Sequence, residues 1–225
     1  MAGTARTYGG ATHSERRSRR QAVLIDTALD LVAAHGVGSL TVRGVCARAR
    51  LNDRYFYESY RNVDELVLAM LDDQISRAFS ALLPAIEATA PDPVLRARAA
   101  IGSGLDFLAD DPRRGRLLIE SQTTDGLRGR RLELVKMLAK VMADQGRALL
   151  DGQESLDPDI DLAAFTLVAG GFDLVTLWLR DELDVSREHL EDFLVAMVTG
   201  GRVATGTSSM VSARGARLRR AGDRH

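Results

Sequence analysis

The sequence has few of the residues that build disulfide frameworks, metal centres and strands. One cysteine, Cys46, in 225 residues excludes an internal disulfide framework and suits a reducing compartment. The four histidines, His13, His35, His189 and His225, stand far apart, and no Cys/His or HExxH spacing arises that would hold a metal. Proline occurs only five times and few runs alternate with period two, so the composition is that of an all-α chain. There is no nucleophile beside a positioned base, no pair of carboxylates in a glycine-rich loop and no phosphate-binding glycine motif. An enzyme is therefore not expected, nor is any catalytic residue or cofactor.

Long apolar runs are also scarce. The first twenty residues, MAGTARTYGGATHSERRSRR, lack the apolar core of a signal peptide and read as a flexible basic arm. The one tempting segment, LAAFTLVAGGFDLVTLWL at 162–179, is borderline in length for a bilayer. Asp173 near its middle would cost about 2.5–3.5 kcal/mol on an insertion scale, and acidic residues crowd its ends. It reads as a helix buried between proteins, so a cytoplasmic protein without a membrane span is expected.

Lysine is nearly absent: of thirty basic residues only Lys136 and Lys140 are lysines. The net charge of −1 hides an asymmetry along the chain. Residues 1–60 carry nine arginines against five acids, residues 61–201 fifteen bases against twenty-five acids, and residues 202–225 six arginines against one acid. Basic ends joined to an acidic middle suit a nucleic-acid contact confined to one end.

Aromatics are rare as well, eleven in all, yet Tyr55, Phe56, Tyr57 and Tyr60 fall within six residues. Consecutive helical side chains point about 100° apart, so these four cannot all face a core. The pattern around them predicts three helices. The first covers 14–35 with an apolar stripe from Leu24 to Val32 and Asp26 and Asp30 opposite it; Gly36 and Gly38 stop it. The second is a short helix VRGVCARA capped by Thr41, and the third is capped by Asn52 or Asp53. Two short helices joined by a three- to four-residue turn match a helix-turn-helix. In it, Phe56 and Tyr60 face inward, and Tyr55, Tyr57, Arg54 and Glu58 remain outside. Beyond residue 63, helices are predicted at about 63–88, 93–109, 112–124, 127–150, 159–181 and 187–203, broken at Pro and Gly. The expected organisation is an arm at 1–13, a helix-turn-helix domain at 14–62, a helical domain at 63–203 and a disordered basic tail at 204–225.

The run LIDTALDLVAAHGVGSLTVRGVCARARLNDRYFYESYRNVDEL, from Leu24 to Leu66, resembles the DNA-binding segment of TetR-family transcriptional regulators. The likeness lies in A-L-x-L before the His-Gly, in L-T-V-R opening the second helix, in Phe-Tyr of the third, and in D-E-L of the fourth. It implies a homodimer that binds a palindromic double-stranded DNA operator, acts as a repressor and is released by a small-molecule effector. Thr41, Arg43 and Tyr57 would touch the DNA backbone, and Asn52, Asp53, Arg54 and Tyr55 would read bases. Arg54 is the best candidate for direct readout, because a guanidinium pairs bidentately with guanine. The four arginines Arg16, Arg17, Arg19 and Arg20 could reach phosphates or a minor groove, or merely solubilise the arm. Several positions depart from the family pattern: Arg50 where glycine is usual in the turn, Gly44 for an acid, Val63 for a lysine and Glu58 for a histidine.

In the acidic domain the resemblance implies a pocket for the effector and a dimer surface on the last two helices. Phe165, Ala169 and Phe172, with Leu190, Phe193 and Met197, are the expected dimer contacts. Glu120, Gln122, Phe107 and Trp178 are the candidate pocket residues, since polar groups on apolar helices need a partner or a ligand. An alternative remains from a different class: a helical ligand-binding or protein-interaction module whose DNA-binding head has decayed.

Overall fold

A computed structural model describes residues 13–149 and 158–200. The expected basic tail and all but the last residue of the arm lie outside these. Every regular element among the described residues is helical. The first helix, α1 (His13–His35), ends at Gly36, whose φ of +78° carries no penalty in a residue without Cβ. A 3-10 turn over Val37–Ser39, not foreseen from the sequence, leads to α2 (Val42–Ala49). There the Thr41 hydroxyl accepts from the Gly44 N–H at 3.0 Å and caps the helix. Of the two candidate caps for α3 (Asp53–Tyr57), Asn52 takes the role, accepting from the Arg54 N–H at 2.9 Å. Asn62 caps α4 (Val63–Glu87) in the same way through Glu65, at 2.9 Å.

The turn between α2 and α3 is closed without glycine. Arg50 adopts the left-handed conformation, φ 55° and ψ 39°, while the Leu51 N–H reaches back to the Cys46 carbonyl at 3.0 Å. A residue bearing a Cβ is disfavoured there, and glycine is not. Arg50→Gly is therefore expected to stabilise the protein by about 0.5–1 kcal/mol, because relief in the folded state exceeds the extra freedom of the unfolded chain. Urea denaturation checks this; a loss of stability would show that the arginine side chain, and not the backbone, matters at the turn.

The remaining helices are α5 (Pro93–Asp110), α6 (Pro112–Glu120), α7 (Asp125–Leu149), α8 (Pro158–Leu179) and α9 (Arg187–Val198). Several boundaries differ from those expected. The sixth helix stops at Glu120 and the seventh begins at Asp125, because Thr124 turns its hydroxyl to the Leu127 N–H and pulls the new helix start upstream. Gln122 thus sits in a turn and not on a helix. The last helix closes at Val198, just before Gly200 takes a φ of +66°.

The largest core ignores the boundary at residue 62. Leu24, Leu29, Val45 and Phe56 join Leu66 and Met70 of α4, Leu117 of α6 and Leu127 of α7. Two smaller cores lie farther along: Leu105 with Leu190 and Leu194, and Ala139 and Ala143 against Ala164. Polar contacts fasten α6 to the head at the same junction. The Arg113 guanidinium lies 3.1 Å from Asp26 and 2.5 Å from Asp30 of α1, and 2.8 Å from Asp111. Hydrogen bonding from Arg113 holds the Asp111 carboxyl below its ordinary range. At the other end of α6, the Glu120 carboxylate accepts from the Val37 N–H at 3.2 Å. The N-terminal helices are therefore held by packing and charge to α6 of the body.

Candidate nucleic-acid interface

The four clustered aromatics divide as their helical angles require. Phe56 and Tyr60 are buried, with ring centroids 5.8 Å apart, and they fill the core between α1 and α4. Tyr57, 59% exposed, stands outside, its ring T-shaped to that of Phe56 with centroids 5.5 Å apart. Tyr55 is exposed too, but one face of its ring is covered by the Arg20 guanidinium, 4.5 Å from the centroid. Thr41 and Arg43 at the start of α2 and Asn52, Asp53 and Arg54 at the start of α3 are all exposed. Because Thr41 accepts its capping bond, its hydroxyl proton is still available to a phosphate oxygen.

Asp53 stands beside Cys46 of α2. Burial pushes the Cys46 thiol up to about 11, and the Asp53 carboxylate beside it adds to the shift. The thiol is thus neutral at pH 8 and shielded from solvent. Native protein should leave Cys46 unmodified by a thiol-specific chromogenic reagent at pH 8, with one equivalent reacting after unfolding; rapid native reaction would contradict this placement.

Glu58 does not simply point outward, as the helical angles alone suggest. Its carboxylate is 3.3 Å from Arg20 of α1 and 3.3 Å from Arg54, one helical turn before it. Its backbone carbonyl accepts from Arg17 at 2.8 Å. Two of the four N-terminal arginines are thereby spent within the head, while Arg16 and Arg19 lie exposed on α1. The Arg54 and Glu58 spacing was visible as an i,i+4 pair. The link to Arg20, thirty-eight residues away, left no local signal.

In the body, the four candidate pocket residues do not line one cavity. Glu120 and Gln122 border an open cleft of about 520 Å³ with Arg116, Leu179 and Arg180. Phe107 borders a different groove of about 480 Å³ beside Ala81, Ala85 and Gly102 of α4 and α5, and Arg114 covers its ring at 4.0 Å. Trp178 lines neither: its indole N–H donates to the Val185 carbonyl at 3.0 Å, and its ring packs against the core around Leu105. Among the expected dimer contacts, Leu190 is 3% exposed and buried in that same core, and Met197 packs against it. Phe165 stands 37% exposed, with Leu162 of the same helix at 64%. Ala169, Phe172 and Phe193 are half-buried.

The exposed side chains of α2 and α3 thus belong to a helix-turn-helix within a fold that is helical throughout the described residues. Residues 24–70 match the model of the bacterial regulatory proteins of the tetR family. The head is that of a tetR-family regulator. No curated protein matches the sequence closely enough to count as a relative. Solved structures share the fold over most of the chain. A TetR-like transcriptional regulator from Rhodococcus sp. RHA1 is 19% identical, with a TM-score of 0.64 over 84% of this chain and 97% of that one. The fatty acid degradation regulator FadR from Bacillus halodurans is 17% identical, with a TM-score of 0.68 over 81% and 95%. The transcriptional regulator FadR from Bacillus subtilis, solved with stearoyl-CoA, is 19% identical, with a TM-score of 0.67 over 80% and 99%. The tetR-family match ends inside α4, so it covers the head, whereas the structural likeness extends to the body.

Proposed function

We propose that the protein is a dimeric transcriptional repressor that binds a palindromic operator through two tetR-family heads and is released by a small molecule bound in the body. The observation that carries the reading is the exposure of Thr41, Arg43, Arg54 and Tyr57 on the two short helices of the segment that matches the family. Backbone contacts would come from Thr41, Arg43 and Tyr57. Base contacts would come from the first turn of α3, with Arg54, 84% exposed, as the principal reader. Asn52 and Asp53 contribute less, since one caps the helix and the other stands beside Cys46.

Dimerisation is supported by α8. Ile160–Leu179 is long and apolar enough to cross a membrane, yet it is little buried within one chain. Asp173 inside it is paired with Arg131 at 2.5 Å, an arrangement suited to a protein surface. A second copy packing on Leu162 and Phe165 would cover this face, and the protein would work in the cytoplasm. For the effector, the B. subtilis neighbour makes stearoyl-CoA the first compound to add to a protein–operator complex.

Equilibrium sedimentation of the full chain with a duplex that it retains against random competitor tests the proposal. Two chains per duplex are expected. One chain per duplex, or no preference for any duplex, would overturn it and favour a ligand-binding or interaction module with an inactive head.

A further inference from the structure

Glu58 introduces a negative charge into the face assigned to DNA, where it should repel phosphates, and this cost calls for a role. Three arginines converge on the residue. Arg20 reaches Oε2 and Arg54 reaches Oε1, each at 3.3 Å, and Arg17 donates to its carbonyl at 2.8 Å. The arrangement is graded in exposure. Arg20 has a side chain only 20% exposed and lies over the Tyr55 ring; Glu58 is 32% exposed; Arg54 is the free end. A largely covered arginine thus hydrogen-bonds a carboxylate, which in turn pairs with an exposed arginine. The pair engages Arg54 through Nε, leaving its two terminal nitrogens unoccupied among the described residues. Those are donors that can meet the two acceptors of guanine in the major groove.

We infer that Glu58 is a positioning residue that fixes the Arg54 fork for base readout, and so determines operator specificity more than affinity. The inference rests on the operator-binding reading above. Ordering a long side chain before binding removes conformational freedom that recognition would otherwise have to remove, and a reader held from behind discriminates more sharply than a free one. An exposed ion pair by itself contributes little to the fold, so stability should not report this role.

The experiment compares the wild-type chain with Glu58→Gln, Glu58→Asp and Arg54→Ala. It measures affinity for the best duplex recovered from a random pool, for each single-base variant of that duplex, and for random duplex, at one salt concentration. Arg54→Ala should lose discrimination at one base pair of each half-site. Glu58→Gln should lose at least about 5-fold of discrimination at that same base pair, with random-duplex affinity equal to wild type or higher because a negative charge is gone. Glu58→Asp keeps the charge but shortens the reach. It should also lose discrimination there, with random-duplex affinity unchanged. If Glu58→Asp behaves as wild type while Glu58→Gln raises affinity for every duplex alike, the residue acts only through its field and the inference fails. If Arg54→Ala alone loses the base preference, the inference fails while the reading of Arg54 stands. If Arg54→Ala changes no base preference, both fall. Melting temperatures within about 2 °C of wild type would separate these outcomes from a damaged fold.

Discussion

Phe56→Ala is expected to destabilise the protein by about 3–5 kcal/mol and to abolish duplex binding. The ring is fully buried and contributes to a core that draws on α1 through α4 and also on Leu117 and Leu127 of the body. Removing it leaves a cavity that no single side chain can fill, because the surrounding residues come from separate helices held at their own caps. A small head has little stability to lose, and several kcal/mol is a large part of what a domain possesses. The neighbouring residue is the control. Tyr57, 59% exposed and T-shaped to the Phe56 ring, should cost less than about 1 kcal/mol when changed to Ala, yet still weaken DNA binding. Urea denaturation followed by circular dichroism measures both. Equal losses for the two variants would show that the inward and outward assignments of the aromatic cluster are wrong.

Duplex binding should fall about 10³-fold between 50 and 200 mM monovalent salt. If three cations of each head neutralise phosphates, a dimer makes about six such contacts, and each contributes roughly −0.9 to the slope of log K against log salt. Arg43, Arg16 and Arg19 are the exposed candidates for these contacts. Arg17 and Arg20 are not counted, because both are bonded to Glu58. A slope near about −9 would mean that those two also leave Glu58 for the phosphates. A flat response would exclude phosphate contact and return the head to the status of an inactive remnant. Fluorescence anisotropy of a labelled duplex over that salt range measures the slope.

The head was more legible in the sequence than the body, and the reason is physical. Its elements are announced by local chemistry: Thr41, Asn52 and Asn62 sit where helices need a cap, and the angle between Phe56 and Tyr57 sorts inside from outside without any knowledge of partners. The Val37–Ser39 turn and the left-handed Arg50 were harder to see, since three residues give no periodicity and arginine is not a usual residue for a positive φ. In the body, helical periodicity located every helix but could not say which helix each stripe meets. Leu190 and Phe165 both belong to apolar stripes, yet one closes an internal core and the other faces outward. Trp178 likewise stands on an apolar stripe, and only the fold shows that its ring packs against the core around Leu105 while its N–H donates to the Val185 carbonyl. The Arg113 cluster and the Glu58 hub join residues more than thirty positions apart, and long-range charge pairs leave no trace in spacing.

The junction at α6 connects the two halves of the proposed mechanism. One end of this short helix is pinned to Asp26 and Asp30 of α1 by Arg113, and the other meets the Gly36–Val37 connection through Glu120. The cleft beside Glu120 borders the same helix. A molecule that displaced α6 would therefore act on α1 directly, and through it on the separation of two heads in a dimer. The coupling can amount to no more than the difference in affinity of that molecule for the two positions of the helix.

The central claim, that this head reads a palindromic operator, is tested most directly by selection of bound duplexes from a random pool by the full chain, followed by sequencing of the survivors. The account predicts enrichment of an inverted repeat whose half-sites are centred about one helical turn, roughly 34–36 Å, or a multiple of it apart. Recovery of no common motif at low salt would contradict it.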